Sequence, residues 1–412
     1  MASFAIPLSG LEANSTSLSV IANNLANLNT DGYKNETLSF GNLLFQMQGA
    51  SGNGDPIQIG SGVQVDGTTS NFTNGNVNTT GIASNMALQG NGFFVVKSGS
   101  GLDYTRAGDF TVNSSGQLVD PSGDLVMGYP AVDGVVSASS APGPITVNQA
   151  ATIPAVATTS FETTTNLQAG SSVGATFSTP LSVTDSLGVS QTLSINYTNT
   201  GTNTWTYNIT LPASATGGTG APTSLATGSL TFNSSGALTS PSGSVTGIKI
   251  TGLSDGAGPM NLTWNLADAS GNPTLTQQDP ASATTATNQD GYGVGTLTGY
   301  SVLADGTVQG QFSNDQTLAL GQVAVAGFAN VQGLTQLNNG DFQSTVSSGA
   351  AVVGQAGIGG NGTITGGAVE GSNVDLSTEF SNMIVAQQGY EANAKALTAF
   401  DQVSQATLQL IS

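Results

Sequence analysis

The charged residues Asp103, Arg106 and Asp109 lie close together in the sequence, beside Tyr104. Carboxylates next to a guanidinium could line a charged pocket for binding or proton transfer. The stretch has the pattern of a strand bounded by turns, and a buried arginine commonly ties carboxylates or carbonyl groups together. We therefore interpret this group as a hairpin held by its arginine and assign no catalytic residue to it.

Other candidate sites also have structural interpretations. Gly90-Asn91-Gly92 precedes an apolar run and opens no helix, so it is a turn before a strand and not a phosphate loop. Asp255 and Asp305 each precede a glycine, but neither has the spacing of an EF-hand calcium loop. Trp205 and Trp264 lie on alternating strand-like stretches, which favours core packing over a sugar-binding platform. We predict no metal site and no cofactor.

The composition excludes many kinds of chemistry. The 412 residues contain five Lys and Arg, 24 Asp and Glu, no His and no Cys, which gives a net charge of -19. Disulfides, zinc-thiolate sites and His-based catalytic triads are therefore absent. Five cations are too few for binding to nucleic acid or to an anionic membrane surface. The protein is not expected to be an enzyme.

The amino-terminal segment has the pattern of an amphipathic helix. Residues 8–29 contain no Pro and no Gly after Gly10, and Leu11, Leu18 and Leu25 recur every seven residues. Asp31-Gly32 is expected to end this helix. The segment lacks the basic region and continuous apolar core of a signal peptide, so export would leave it uncleaved.

The carboxy-terminal segment, residues 375–411, has a similar pattern. Apolar side chains again recur every seven residues, at Leu376, Met383, Tyr390 and Leu397. Residues 372–375 offer helix-capping side chains, and Glu379 places negative charge in the first turn. The two helices could pair with each other within one chain, or they could bury their apolar stripes against other copies. Periodicity alone does not separate these alternatives.

The sequence between the helices has the alternation of β-strands separated by Gly-, Ser- and Pro-rich turns. One turn segment occurs twice: residues 113–123 and 233–243 agree at all but three positions. The predicted fold is mainly β with long terminal α-helices. It comprises nested barrel-like or sandwich-like β domains and a coiled-coil core formed by the two ends.

We predict four regions. They are a helical core (1–32 and 372–412), an extended linker region (33–84 and 350–371), an inner β domain (85–150 and 290–349) and an inserted outer β domain (151–289).

Three separated motifs resemble those of the bacterial flagellar rod and hook family. They are residues 9–13 with 21–34, residues 88–96 with 104–108, and residues 370–376 followed by Glu379, Met383, Tyr390 and Asn393. Rod members of the family are shorter, so the insert at 151–289 favours a hook subunit. Residues 166–168 and 181–188 resemble the outer domain of hook subunits, whereas Gln332 stands where a proline-containing turn is commoner.

The resemblance implies a structural subunit that assembles with itself into a flexible, curved hollow tube, a universal joint that transmits torque from rod to filament. The implied partners are other copies, rod, hook-cap and hook–filament junction proteins, and the flagellar type III export apparatus. The implied location is the extracellular hook. A distal rod protein and an extracellular β-rich adhesin are the alternatives.

Two sets of residues are singled out. The set expected in the terminal helix core is Leu11, Leu18, Ile21, Asn24, Leu25, Asn27, Leu28, Phe380, Met383, Ile384, Tyr390, Leu397, Phe400 and Val403. The set that matches the family motifs is Gly32, Tyr33, Arg106, Gly108, Ser372, Asn373, Val374 and Asp375. Asparagines beside the apolar seam are expected to set helix register.

Overall fold

The computed structural model describes residues 4–50, 52, 56–99, 101–137, 139–148, 150–268 and 270–411. The chain forms two compact units. Unit 1 comprises Met1–Gln149, Gly299–Gln311 and Thr317–Ser412, and unit 2 comprises Ala150–Thr298 and Phe312–Gln316. Strands make up 45% of the chain, and the two α-helices lie at its ends, which confirms the predicted fold class.

The first helix, α1, runs from Ala5 to Ala26, and the second, α2, from Leu376 to Ile411. Helix α1 begins earlier than predicted because Pro7 lies in its first turn, where a missing N–H costs no hydrogen bond. Helix α2 begins as predicted: the Asp375 carboxylate accepts a hydrogen bond from the Thr378 N–H at 2.8 Å.

The prediction that Asp31-Gly32 ends α1 is wrong. The helix ends at Ala26 with Asn27 as its cap, so Leu28 lies beyond it, in a turn. Gly32 has a φ of +70°, and a Cβ at this position would collide with the backbone of Ala107. Glycine is needed here for close approach to the β strands rather than for helix termination.

The strands follow in chain order. Those before residue 150 are β1 (Glu36–Asn42), β2 (Phe45–Ala50), β3 (Pro56–Gly60), β4 (Val63–Ser70), β5 (Val77–Thr79), β6 (Met86–Gln89), β7 (Phe93–Ser98), β8 (Gly101–Thr105), β9 (Thr111–Val112), β10 (Leu118–Val119), β11 (Leu125–Val132), β12 (Val135–Val136) and β13 (Gly143–Pro144). Next are β14 (Thr152–Ile153), β15 (Ser160–Gln168), β16 (Thr176–Thr184), β17 (Ser190–Gly201), β18 (Thr204–Leu211), β19 (Thr223–Phe232), β20 (Leu238–Ser240), β21 (Val245–Ile250), β22 (Met260–Asn265), β23 (Leu275–Gln278) and β24 (Ala283–Gln289). The last are β25 (Gly295–Val302), β26 (Thr307–Phe312), β27 (Thr317–Gly327), β28 (Thr335–Gln336), β29 (Asp341–Gln343), β30 (Val352–Gln355), β31 (Thr363–Gly366) and β32 (Ala368–Glu370).

Unit 1 contains an antiparallel sheet in which β11, β7, β8 and β29 are neighbours, and β27 pairs with both β11 and β7. Its core is rich in aromatic side chains, with Phe93 at the centre: Phe72, Phe328 and Phe342 lie 5.5–5.8 Å from its ring. The residues expected as a linker form paired strands. Strand β1 pairs with β4 and β5 with β32, and β31 pairs with β6, which belongs to the predicted inner β domain.

Unit 2 contains two sheets. In the first sheet, β15 is parallel to β22 and β23 and antiparallel to β24. In the second sheet, the consecutive strands β16 to β20 form an antiparallel meander. Trp205 and Trp264 are both buried in one hydrophobic core, as predicted. The Trp264 ring packs on Tyr207 with centroids 5.3 Å apart, and its indole N–H donates to the Thr163 hydroxyl at 3.2 Å.

The repeated turn segment adopts the same local structure in both units. The Asn113 side-chain oxygen accepts from the N–H groups of Ser115 and Gln117, and Asn233 accepts from Ser235 and Ala237 in the same way. An asparagine side chain thus replaces a backbone acceptor at the start of each turn. The turn connects β9 with β10 in unit 1 and β19 with β20 in unit 2.

Within the described part of the chain, neither helix has the length and hydropathy to cross a membrane.

Candidate functional site

The two terminal helices pack against each other in antiparallel orientation. The rings of Phe4 and Phe400 lie 6.3 Å apart where α1 begins. Farther along α1, the Asn24 side-chain amide donates to the Glu379 carboxylate at 3.1 Å, near the start of α2. The alternative in which the helices pair within one chain is therefore the one found in this structure.

Two glycine–asparagine pairs form part of the face that joins the helices. A Cβ on Gly10 would lie 2.7 Å from the Asn393 side-chain oxygen, and one on Gly389 would lie 2.6 Å from that of Asn14. Each asparagine donates to the carbonyl of the glycine in its own helix, at 2.7 Å for Asn14 and 2.9 Å for Asn393. The helices can approach closely because neither contact glycine has a side chain.

A repeated pentapeptide underlies this arrangement. Residues 10–14 read Gly-Leu-Glu-Ala-Asn and residues 389–393 read Gly-Tyr-Glu-Ala-Asn. The glycine of each copy faces the asparagine of the other, as antiparallel pairing of two equivalent segments requires. Hydrophobic periodicity does not reveal the role of these glycines, because glycine has no side chain to contribute to it. A comparison of the two ends for shared motifs would have found the pentapeptide.

Asn24 connects α1, the following turn and α2. Its side-chain oxygen accepts from the Glu36 N–H at 3.0 Å and from the Tyr33 hydroxyl at 3.1 Å, and its amide also donates to the Glu36 carbonyl at 2.8 Å. Burial, with Glu36 and Glu379 nearby, raises the pKa of Tyr33 to about 12, so its hydroxyl remains a donor. Asn27, by contrast, donates to the Asn23 carbonyl of its own helix.

Much of the predicted apolar seam lies outside the contact between the helices. On α2, Leu376, Phe380, Ile384 and Tyr390 are 44%, 50%, 54% and 42% exposed. We call these four residues the exposed stripe. The predicted core residues that are half-buried are Leu11, Leu18, Leu25, Asn27, Leu28, Met383, Leu397 and Phe400, whereas Ile21 and Asn24 are buried and Val403 is exposed.

A buried ionic group lies beside the helix pair. The Glu370 carboxylate contacts Lys34 Nζ at 2.6 Å through Oε1 and Arg106 Nη1 at 3.3 Å through Oε2, and the side chains are 0–2% exposed. The guanidinium also donates to the carbonyls of Leu88 and Gly90. We call Lys34, Arg106 and Glu370 the ionic junction. Burial lowers the pKa of Lys34 and of Arg106, and the Glu370 charge opposes this effect.

The expectation that Arg106 ties carboxylates or carbonyls is confirmed, although the carboxylate is that of Glu370. Gly108 lies close by, and a Cβ there would collide with the Met86 carbonyl. Glu370 was missed as a site residue because its partners are separated from it by most of the sequence. The available signal was that Arg106 is the single arginine of the sequence and Lys34 one of four lysines.

The residues just before α2 bind neighbouring backbone. The Asn373 side-chain oxygen accepts from the Asn35 N–H at 2.7 Å, and its amide donates to the Asn71 carbonyl at 2.7 Å. The Ser372 hydroxyl accepts from the N–H of Val374, whose side chain is buried. These contacts bring the predicted motif residues from both ends of the chain together at one place in unit 1.

A cleft of about 480 Å³ beside the same turn is lined by the carboxylates of Asp31, Asp109, Asp120 and Asp341. Burial, reinforced by neighbouring aspartates, raises the pKa of Asp341 to about 6. Burial and Asp109 likewise raise the pKa of Asp31. The side chains of Asp255 and Asp305, considered above for calcium, accept backbone N–H groups in turns.

Comparisons with known proteins define the class to which this fold and these motifs belong. Four family descriptions match: "Flagella basal body rod protein" at residues 6–34, "Flagellar hook protein FlgE/F/G D1 domain" at 87–166, "Flagellar basal body protein FlaE D2 domain" at 147–292 and "Flagellar basal body rod FlgEFG protein C-terminal" at 365–410. All describe rod and hook proteins of the bacterial flagellum.

Among these rod and hook proteins, relatives that match over nearly the whole chain are hook proteins. The flagellar hook protein FlgE of Escherichia coli K12 is 34% identical, over 97% of this chain and 98% of its own. That of Borreliella burgdorferi is 32% identical, over 98% of both. The chain belongs to the flagellar hook protein family. The solved structure of Helicobacter pylori hook protein FlgE2 shares the fold, with a TM-score of 0.51 over 72% of this chain and 100% of its own, at 14% identity.

Proposed function

We propose that this chain is the structural subunit of a bacterial flagellar hook, in which many copies pack into a flexible, curved hollow tube. The tube acts as a universal joint that passes torque from the rod to the filament. The observation that carries this proposal is the exposed stripe on α2, together with membership of the hook protein family.

The exposed stripe supports contact between copies because α1 does not cover it. Burying one such side chain contributes about 1.5–3 kcal/mol. Helix α1 occupies a different face of α2, around Gly389 and Asn393, so pairing within the chain leaves the stripe free. Pairing within one chain would then use one face of α2, and contact with other copies would use the exposed stripe on another face.

The predicted regions take their roles from this proposal. Residues 1–32 and 372–412 would form the inner core around the central channel, with 33–84 and 350–371 connecting them to the inner β domain (85–150 and 290–349). Residues 151–289 would form the outer layer. The stripe and the predicted core residues on both helices would make the contacts between neighbouring copies.

The remaining parts of the proposal follow from the family. The subunit would leave the cell through the flagellar type III export apparatus with an uncleaved amino terminus. It would contact rod, hook-cap and hook–filament junction proteins in addition to its own copies. It would act in the extracellular hook as a structural component, with no catalytic activity and no cofactor.

Electron microscopy of cells from which the gene has been deleted tests this function. We expect rods without hooks, and restoration of curved external hooks when the gene is returned. Loss of the rod together with the hook would favour the distal rod alternative. Normal hooks in the deletion strain would overturn the proposal, and defective surface attachment with normal hooks would favour the adhesin.

A further inference from the structure

We propose that Glu370 is a positioning residue which, through Lys34 and Arg106, fixes the terminal helix pair to the β strands of unit 1 and so sets the form of the assembled hook. This inference rests on the proposed function.

The three residues of the ionic junction come from separate parts of the chain. Lys34 follows the turn that leaves α1, and Glu370 ends β32, the last strand before α2. The backbones of these two segments are also joined, since the Gly32 N–H donates to the Glu370 carbonyl at 2.6 Å. The segment that leaves α1 and the segment that enters α2 therefore meet at Glu370.

Arg106 attaches Glu370 to the β strands of unit 1. Arg106 follows β8, and its guanidinium donates to the Leu88 carbonyl at 3.2 Å and to the Gly90 carbonyl at 2.7 Å, on β6 and in the turn before β7. It also lies 5.3 Å from the ring centre of Phe93, the central aromatic residue of the unit 1 core. The arginine thus connects Glu370 to the sheet and to its core.

Glu370 and Lys34 also bind the backbone of the segment that leads into β5. Glu370 Oε1 accepts from the Gly75 N–H at 2.8 Å in addition to Lys34, and Lys34 Nζ donates to the Thr73 carbonyl at 3.0 Å. Residues 73–75 lead into β5, the strand that pairs with β32. Four backbone groups, in residues 73–75 and 88–90, are therefore held by charged side chains that water does not reach.

The ionic junction contains two cations and one carboxylate. The ion pairs found among the described residues are the two on Glu370, although the chain has 24 acidic residues and five cations. Apolar side chains of similar volume commonly give equal or greater stability than a buried ion pair. An ionic group fixes distances and directions that apolar packing leaves adjustable, so its use here indicates a geometric requirement.

This geometry matters for a tube that bends and turns. Force on the helices reaches the β strands of the same copy through the segments that meet at Glu370. A loosened junction would let the helix pair shift relative to those strands, and identical small shifts in every copy would add up along the assembly. The expected consequence is a change in hook curvature or length regularity, not merely in the amount of folded protein.

The test uses the full chain returned to the deletion strain as Glu370→Gln, Glu370→Asp or Glu391→Gln. The Gln variant keeps the shape of the side chain but leaves two buried cations without a counter-charge. The Asp variant keeps the charge but shortens the reach to the two cations. Glu391→Gln removes the same charge from an exposed position on α2 and is the matched control.

Two measurements are made on each variant: hook curvature by electron microscopy, and hydrogen exchange of the purified chain. We expect Glu370→Gln to speed exchange in α1 and at the start of α2 on the order of a hundredfold, with β15–β24 unchanged. Its hooks should be altered in curvature or absent, Glu370→Asp should be intermediate, and Glu391→Gln should match the unmodified chain.

Hooks of unaltered curvature and number in Glu370→Gln would overturn the positioning role, whatever its exchange rates. Faster exchange throughout β15–β24 would also overturn it, because the residue would then support general folding. If the unmodified chain itself failed to restore hooks, the proposed function would fail instead, so the two failures are distinguishable.

Discussion

The terminal helix pair and the inserted β unit bury their apolar side chains in opposite ways. Unit 2 encloses both tryptophans and the surrounding aliphatic side chains in one core between its two sheets. The helix pair meets through glycines and asparagines and leaves Phe380 and Ile384 about half exposed. One region completes its core within a single chain, and the other leaves apolar surface exposed.

Because of this difference, we expect substitutions in the two regions to affect different properties: the stability of one copy or the assembly of many copies. A substitution in the unit 2 core should weaken folding of one copy, because all the partners of the side chain lie in the same chain. A substitution in the exposed stripe should weaken contact between copies, because the side chain has few partners in its own chain.

The largest effect is expected for Trp264→Ala. The Trp264 indole is fully buried between Phe161 and Tyr207, and its removal leaves a cavity and takes away the N–H that donates to the Thr163 hydroxyl. We expect a loss of about 3–5 kcal/mol in the free energy of unfolding, measured by urea denaturation followed by circular dichroism. The exposed Val173→Ala serves as the control. A loss below about 1 kcal/mol would show that this core is not close-packed.

A smaller effect of a different kind is expected for the exposed stripe. Phe380→Ala and Ile384→Ala should each change the unfolding free energy of the isolated chain by less than about 0.5 kcal/mol. Each should weaken assembly by about 1.5–3 kcal/mol per contact, or roughly tenfold or more in the concentration needed to polymerise. Sedimentation of polymers measures this, with the exposed polar Gln388→Ala as control. Unchanged polymerisation would remove the stripe from the interface.

The smallest effect is a dependence on pH from the acidic cleft in unit 1. The pKa of Asp341 is raised to about 6, so the folded chain binds this proton more tightly than the unfolded chain. Stability from this group is greatest at low pH and falls as pH rises from about 4 to 6 and beyond.

Between about pH 5 and pH 7, the unmodified chain should lose about 1 kcal/mol of unfolding free energy relative to Asp341→Asn. Urea denaturation at both pH values measures the difference. The exposed Asp279→Asn should keep the pH dependence of the unmodified chain. Parallel curves for the unmodified chain and Asp341→Asn would contradict the assignment of this proton to Asp341.

The sequence predicts elements well wherever the pattern is local. The helices, the repeated Asn-initiated turn, the buried tryptophans and the Asp375 cap all follow from spacing or from side-chain chemistry within a few residues. The mistaken end of α1 arose because a glycine can serve either helix termination or close approach, and only the fold shows that Gly32 serves close approach.

Parts of the site depend on residues that are far apart in the sequence. Glu370 lies more than 260 residues from Arg106, and no local pattern links them. The seven-residue spacing on α2 selects four apolar residues, of which Leu376 and Tyr390 are exposed and Met383 and Leu397 are half-buried. It did not reveal that glycine and asparagine contribute to the contact between the helices. Small side chains contribute little to hydrophobic periodicity, although they permit the closest approach.

The central claim is that α1 and α2 pair within one chain while the stripe meets other copies. Because the chain has no cysteine, a double variant Asn14→Cys/Gly389→Cys can be oxidised in purified hooks and analysed by denaturing electrophoresis without reductant. We expect a cross-linked species that migrates as a single chain, and the single variants should give none. A ladder of multimers from the double variant would show that α1 pairs with α2 of a neighbouring copy and would contradict the claim.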